Sequence, residues 1–511
     1  MADIVLATLN AKWIHASLGL RCLLANLGEL RGRAEIVEGT LQERPLDFVE
    51  RLLAHQPKLV GLGVYVWNAR ESELVAETLA RVAPEVTLVL GGPEVSYEAD
   101  EQRITGLADY VVQGEGELAF AELCRAVLAG TPPGERRIRA TPADLRALRA
   151  PYAEYSDADL RQRVVYVEAS RGCAFSCEFC LSALDERVRE FPLEPFLADL
   201  EALLARGLLH FKFVDRTFNL SLASSAAILE FFLARARPGL FLHFEMIPDR
   251  LPQRLRELLA RFPAGTVQLE VGIQTFDEPS ARRISRVQHM QRVEDNLRFL
   301  REHTGVHLHT DLIAGLPGED LASFARGFDR LVALRPHEIQ VGILKRLRGA
   351  PIARHDREFD QRYSAHPPYE VLSTGAIPFA QMQRLRRFAR VWDLIGNSGN
   401  FVESLPLLWS SRTPFEAVMG FADELHARLG ALHGIQLERL SSALLEHLVA
   451  QGVDRQRAGR ALLADHSRVR PAHWPEFLRE FAADGARRRR GGPARARATA
   501  RQSRVHGEER H

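Results

Sequence analysis

The chain opens with short apolar runs separated by amphipathic stretches. Residues 4–9 read as a strand, 18–30 carry helical spacing, 34–37 form a second strand and 48–54 a helix. Residues 59–66 are apolar throughout, the mark of a central parallel strand covered on both faces. A helix over 71–82 follows, then strand-and-turn segments at 87–93 and 110–115. This alternation predicts a doubly wound, five-stranded α/β domain over residues 1–130. Pro132, Pro133 and Gly134, followed by charged and alanine-rich sequence, predict an exposed linker over 131–160.

Strand patterns resume at 164–169, 211–215, 241–245, 267–273, 306–313 and 339–344, with helical spacing between them. Six βα units in one direction predict a partial (β/α)6 barrel over 161–350, with chemistry at the carboxyl ends of its strands. Side chains alternate faces along a strand. Phe241, His243 and Glu245 therefore share a face, as do Gln268 and Glu270, and His307, His309 and Asp311. Buried polar groups are costly unless solvated or bound. A barrel built for stability alone would fill these layers with Val, Ile and Leu, so the set predicts a substrate cavity. For any single histidine, ordinary hydrogen bonding is an equal reading. Residues 351–483 read as mostly helical, over 383–395, 414–429 and 440–451, and 395–401 reads as a lid hinge or an ordinary loop. The tail, 484–511, is Arg-, Gly- and Ala-rich and is expected to be disordered.

At 511 residues the chain is too long for one core. A net charge of +1 gives no global field for nucleic acid or a membrane surface. No apolar run approaches the about 20 residues needed to span a bilayer. The expected partners therefore include no membrane and no specific nucleic acid. Of the 5 cysteines, Cys22 and Cys124 lie in helical patterns and read as buried. That usage points to a reduced, cytoplasmic protein.

The other three, Cys173, Cys177 and Cys180, stand at CxxxCxxC spacing. Three thiolates this close can hold three irons of a cubane cluster and leave a fourth iron open to a small molecule. A zinc knuckle would need a fourth ligand, and the next histidine is His210. A disulfide fails on the odd number and cramped spacing. Further candidates lie at the carboxyl ends of the N-terminal strands, where ligands sit in such domains. They are Asn10, Lys12, Trp13 and His15, then Tyr65, Trp67 and Asn68, then Gly91, Gly92 and Glu94, and finally Gly114 and Glu115. No GxGxxG follows the first strand, so this is no dinucleotide fingerprint.

With Phe179 before its last cysteine, the loop resembles that of radical S-adenosylmethionine (SAM) enzymes. Gly91-Gly92-Pro93-Glu94 and Gly114-Glu115-Gly116-Glu117 resemble the cobalamin-binding domain found in front of many of them. The resemblance implies a 4Fe-4S cluster on the three cysteines and cobalamin on the strand-end residues above. The DxHxxG loop of many cobalamin proteins is absent, and Gly63 replaces the serine usual after the third strand. Cobalamin is therefore expected without a motif-supplied lower histidine, His15 being the remaining candidate. A domain that kept the fold and lost the cofactor is the alternative.

Behind the loop, the resemblance implies SAM contacts at six positions. Asp215 opens the segment Asp215-Arg216-Thr217-Phe218-Asn219, which lacks the usual GGE. Glu245 precedes Met246-Ile247-Pro248. Glu270 and Gln274 fall in an ExGxQ-like segment, and Arg286 follows where it can clamp the SAM carboxylate in two bonds. Asp311 begins a DLIxGLPxE-like segment. The likeness runs on to relatives with a C-terminal helical domain of uncharacterised function, to about Phe481. The implied chemistry is reductive cleavage of SAM to a 5′-deoxyadenosyl radical, with cobalamin supplying a methyl group that a second SAM replaces. The expectation is a C-methyltransferase with an unidentified substrate and an electron donor such as flavodoxin or ferredoxin. A radical cyclase or rearrangement enzyme without methyl transfer is the first alternative. An iron–sulfur binding or redox-sensing module is the second. A methylthiotransferase is disfavoured, since Cys22 and Cys124 cannot supply a second three-cysteine cluster.

Overall fold

Seven consecutive buried residues, Ile4–Asn10, make β1, an interior strand of the first sheet. The computed structural model describes residues 2–185, 187–470 and 474–482. The described residues fall into two units, one within 1–216, 345–353 and 364–370, the other within 217–344, 354–363 and from 371 onward.

In the first unit β1 leads to α1 (Leu18–Ala25), β2 (Ala34–Thr40), α2 (Pro45–Leu53), β3 (Leu59–Gly63) and α3 (Ala69–Val82). There follow β4 (Thr87–Gly91), α4 (Arg103–Leu107), β5 (Tyr110–Gln113), α5 (Glu117–Leu128) and β6 (Arg137–Arg139). The six strands are parallel, in the order β2-β1-β3-β4-β5-β6. Both faces are covered. Val5 and Leu62 pack with Phe48 on one side, and Ile4 and Leu6 with Phe120 on the other. Strand order reverses between β1 and β3, and the crevice above that switch point is where a ligand fits.

Several boundaries differ from the apolar pattern for identifiable reasons. The first helix stops at Ala25, short of 30, and Gly28 takes a positive φ of 60° just beyond it. The apolar run 59–66 leaves the sheet after Gly63 because Asn68 folds it into a turn. The Asn68 amide donates to Thr8 Oγ1, Leu9 O and Gly63 O, and its oxygen accepts from Tyr65 N at 2.7 Å. A sixth strand joins the expected five. Its Arg-flanked, largely exposed sequence suits an edge and shows no apolar run. The segment expected as an exposed linker also carries α6 (Asp157–Gln162) and buries Tyr152, Tyr155 and Leu160. It is fastened by an ionic network in which Arg21 and Arg163 both pair with Glu38 and with Asp159.

The first unit continues with β7 (Val165–Val167), β8 (Ser170–Arg171), β9 (Arg189–Glu190), α7 (Leu193–Ala205) and β10 (His210–Phe213). β7 and β10 are parallel, and Phe196 of α7 packs edge-on against Phe213 at 6.1 Å. β8 and β9 pair antiparallel and close the base of the cysteine loop. The late segments 345–353 and 364–370 pair through Lys345 and Glu370.

The second unit runs α8 (Leu222–Leu233), β11 (Phe241–Met246), α9 (Gln253–Leu259), β12 (Val267–Gln274), α10 (Glu278–Arg283) and α11 (Met290–His303). β13 (His307–Ala314), α12 (Leu321–Ala333) and β14 (Glu338–Ile343) follow. β11 to β14 are parallel neighbours in sequence order. All six strands expected of the barrel are thus present, as β7 and β10 to β14. A small hairpin, β15 (Arg362–Tyr363) with β16 (Val371–Ser373), precedes α13 (Phe379–Ile395), α14 (Pro414–Leu429), α15 (Leu437–Ala450) and α16 (Arg455–Val469). The last helix escaped the sequence reading because its polar composition hides its few buried positions, among them Leu462 and Asp465. The 395–401 loop is bolted rather than hinged: Asn397 makes two 2.9 Å hydrogen bonds with the Ile339 backbone, and Trp392 Nε1 makes another. The architecture is α/β with parallel sheets, a Rossmann-like domain in front and a helical region behind. The Arg-rich tail lies outside the described residues.

Candidate active site

The cysteine loop is held in shape by backbone. Gly172 has a φ of 87° and lies against the Arg187 carbonyl, where a Cβ would clash. Cys173 N donates to Asp185 O at 3.0 Å, and Cys180 N to Cys177 O at 3.0 Å. Asp215, expected to hold SAM, bonds the stem of this loop. It is 2% exposed, and its oxygens accept from Ser170 Oγ at 2.6 Å and Ala169 N at 3.0 Å. Burial pushes its carboxyl up to about 6, against the pull of those donors. Among the described residues no trio of His, Cys, Asp or Glu is gathered around one ion. A cubane takes one thiolate per iron, so its ligands stand farther apart than those of a single ion. The donor set fits such a cluster and is confined to this loop. Burial pushes the Cys22 thiol well up, and that of Cys124 to about 12, so both stay protonated.

A cavity of about 410 Å3 lies in the first unit. One wall is the switch-point end of the sheet, with Gly61, Gly63, Tyr65, Gly91, Gly92 and Gly114. The other is the stem of the cysteine loop, with Ser170, Arg171, Gly172, Ser182 and Asp185. Leu18, Gly19, Cys22 and Phe120 also line it. A Cβ on Gly61 would stand 2.8 Å from the Phe120 ring, so backbone and flat apolar surface define the space. A cradle of this kind fits part of a flat, largely apolar ligand such as a corrin. The wall is also clamped to the loop by charge. Arg171 pairs with Glu168 at 2.6 Å and Glu117 at 2.7 Å, and Arg189 pairs with Glu115 and Asp185. Glu115 therefore lines the cavity with its carboxylate already engaged.

Of the strand-end residues singled out from sequence, Tyr65, Gly91, Gly92, Gly114 and Glu115 reach the cavity. Asn10, Asn68 and Glu94 do not: they are 7%, 0% and 4% exposed and satisfied by protein. Asn10 donates to Glu38, Asn68 ties the turn after β3, and Glu94 accepts from Tyr369 and Arg348. His15 lies outside the cavity lining, its Nδ1 bonded to Tyr166 Oη at 2.7 Å. Lys12, Trp13 and Trp67 are exposed and outside it too, although Trp67 stacks on Tyr65 at 4.4 Å. The residues missed were Gly61, Gly63, Gly116, Glu168 and Arg171. A glycine-rich β3 was the one signal that could have found the first two.

In the second unit the strand registers bring the remaining SAM candidates together. Glu245 stands beside Glu270, and Gly272 beside Asp311. Gln274 has a φ of 71° after a bulge, and its amide and the Arg286 guanidinium converge over Gly272, whose carbonyl Arg286 also binds. The polar strand face is paired internally. His243 Nε2 bonds Glu270 at 2.9 Å, and His307 Nε2 bonds Glu338 at 2.9 Å. His309 lies between Asp311 at 3.4 Å and Glu338 at 3.6 Å. Burial opposes a charge on His309, but the two carboxylates outweigh it and raise its pKa to about 10. Burial would raise Glu338, but His307 and His309 hold it well below the usual carboxylate range. Asp311 is pushed up by burial, with His309 pulling the other way. The result is a half-buried histidine flanked by two carboxylates that favour its charged form.

The fold and the cysteine loop resemble those of radical SAM proteins with a B12-binding domain in front. Family models match in that order: B12 binding domain over residues 4–124, Radical SAM superfamily over 167–331, and Protein of unknown function (DUF4080) over 357–483. The chain is homologous to cobalamin-dependent radical SAM methyltransferases. It is 27% identical over 347 residues to 2-(S-pantetheinyl)-carbapenam-3-carboxylate methyltransferase of Streptantibioticus cattleyicolor, covering 60% of this chain and 50% of that one. The chain thus spans about half the length of the curated relatives it matches. Two solved structures share the fold. The methyltransferase TsrM from Kitasatospora setae, with tryptophan and a SAM analogue bound, aligns at a TM-score of 0.58 and 19% identity over 72% of this chain and 80% of that one. OxsB with aqua-cobalamin and SAM bound aligns at 0.60 and 12% identity over 91% and 84%. Among the described residues no helix is long and apolar enough to cross a membrane.

Proposed function

We propose that this chain is a cobalamin-dependent radical SAM enzyme that methylates a carbon of a still unidentified substrate. The observation that supports it most is the single cavity walled by the glycine-lined sheet edge and by the cysteine loop. Cys173, Cys177 and Cys180 would hold a 4Fe-4S cluster. Tyr65, Gly91, Gly92 and Gly114 would face cobalamin. Glu245, Glu270, Gln274, Arg286 and Asp311 would contact SAM, with Arg286 on its carboxylate. When bound, these groups supply a 5′-deoxyadenosyl radical and a transferable methyl group. The chain's own residues supply placement and charge. The salt bridges of Arg171 and Arg189 keep the cluster loop against the cavity. His309, set between Asp311 and Glu338, would balance their charge on the polar face. A flavodoxin- or ferredoxin-type donor in the cytoplasm would supply the electron.

Anaerobic reconstitution with iron, sulfide and hydroxocobalamin tests this. Visible spectra should show corrin and cluster together, and SAM plus dithionite should release 5′-deoxyadenosine. Cys177→Ala should lose the cluster and the 5′-deoxyadenosine while keeping the corrin bands. A Cys177→Ala protein that still builds the cluster would overturn the assignment of its ligands.

A further inference from the structure

After β14 the chain returns to the first unit as a strap of residues 345–353, paired with 364–370. Residues 345–353 lie between the spans matched by the radical SAM and DUF4080 models, and 364–370 lie within the latter. The strap bonds the two loops that continue from the walls of the cavity, the one after β4 and the one carrying the cysteines. On the sheet side it grips the loop that follows β4. Tyr369 Oη donates to Glu94 Oε1 at 2.5 Å, and Arg348 Nε reaches the same oxygen at 3.2 Å. Arg348 also bonds Tyr369 Oη and lies over its ring at 5.0 Å. Glu98 accepts from Arg348 Nη1 at 3.2 Å and from Gly349 N at 3.1 Å. Gly349 has a φ of 81° and abuts the Tyr97 ring so closely that no side chain fits there. On the other side, Ile352 N donates to the carbonyl of Glu178, between Cys177 and Cys180, at 2.9 Å. Glu94 is 4% exposed and Ile352 is fully buried, so neither grip is a loose surface contact.

A strap bonded to the loop beginning at Gly91-Gly92 and to the loop carrying the cysteines fixes the distance between them. We propose that Arg348, Tyr369 and Gly349 form a latch that sets the spacing of the corrin and the iron–sulfur cluster, acting as positioning residues rather than as ligands. This rests on the cavity being the corrin site. Transfer between two bound groups is steep in their separation, and a misplacement of about 1 Å can cost 100-fold. The latch therefore governs how well radical formation and methyl transfer are coupled, without touching either reacting atom.

The test uses the full-length protein reconstituted with iron, sulfide and hydroxocobalamin, in wild type, Tyr369→Phe and Arg348→Ala. After reduction, the magnetic interaction between cob(II)alamin and the reduced cluster is read by electron paramagnetic resonance. Wild type should show one defined interaction. Both variants should keep wild-type iron and corrin per chain while the interaction weakens and spreads, more so in Arg348→Ala. In parallel, hydrogen exchange on the cofactor-free protein should rise at least about tenfold in loops 91–98 and 173–180 of Arg348→Ala. Unchanged exchange and unchanged interaction in both variants would overturn the latch. If wild type takes up no cobalamin, the methyltransferase reading fails, and the exchange experiment alone decides whether the latch exists.

Discussion

The candidate ligand regions of the two units, each taken by itself, are built in opposite ways. At the carboxyl edge of the first sheet, space is made by leaving side chains out: Gly61, Gly63, Gly91 and Gly92 let backbone form the wall. On β11 to β14, side chains are plentiful and charged, and they are pre-paired, as in His243 with Glu270 and His307 with Glu338. The first region is defined by shape: added bulk meets only ordinary contacts at Gly63 and Gly91, but runs into the Phe120 ring at Gly61 and the Val64 backbone at Gly92. The second is defined by charge balance, and removing one member leaves the others uncompensated in a buried place.

That contrast can be broken at three points. The largest effect is expected at Glu338, whose side chain is 7% exposed and serves two histidines. Glu338→Gln should lower stability by about 3–5 kcal/mol, because breaking a buried pair strands its partner. Urea unfolding checks this, and a loss below about 1 kcal/mol, the range of exposed pairs, would show the face to be solvated. Next comes Gly63→Leu. A Cβ there meets Thr8 at an ordinary 3.5 Å, so the sheet can accept it while the cavity fills. Cobalamin affinity, read by absorbance titration, should fall at least about 100-fold, roughly 2.8 kcal/mol, with folding stability unchanged. Unaltered affinity would move the corrin elsewhere. The smallest effect is the pH dependence of His309. Its folded pKa is raised from 6.5 to about 10, so its contribution is full below pH 6.5 and fades as pH rises through about 10. The stability gap between wild type and His309→Gln should close over that window. A gap independent of pH would mean that the histidine packs without carrying charge.

The same contrast explains what the sequence could and could not say. The strands and the cysteine loop were readable because apolar periodicity and cysteine spacing are local signals. The internal pairs were not. Arg21 finds Asp159, and Glu94 finds Tyr369, across stretches no local pattern links. A polar residue at a strand end, such as Asn10, Asn68 or Glu94, is the same signal whether it binds a ligand, closes a turn or meets another loop. The glycines that make the cavity stand out as a motif at Gly91-Gly92 but not at Gly61, which sits inside an apolar strand.

Transfer of a label from SAM to cobalamin needs no knowledge of the substrate. The reconstituted protein is given SAM carrying a trideuteromethyl group, under reducing conditions, and the corrin fraction is weighed by mass spectrometry. The methyltransferase account predicts that the label appears on the corrin together with an equal amount of S-adenosylhomocysteine. Release of 5′-deoxyadenosine with no label on the corrin would contradict it and favour radical cyclisation or rearrangement in the same site.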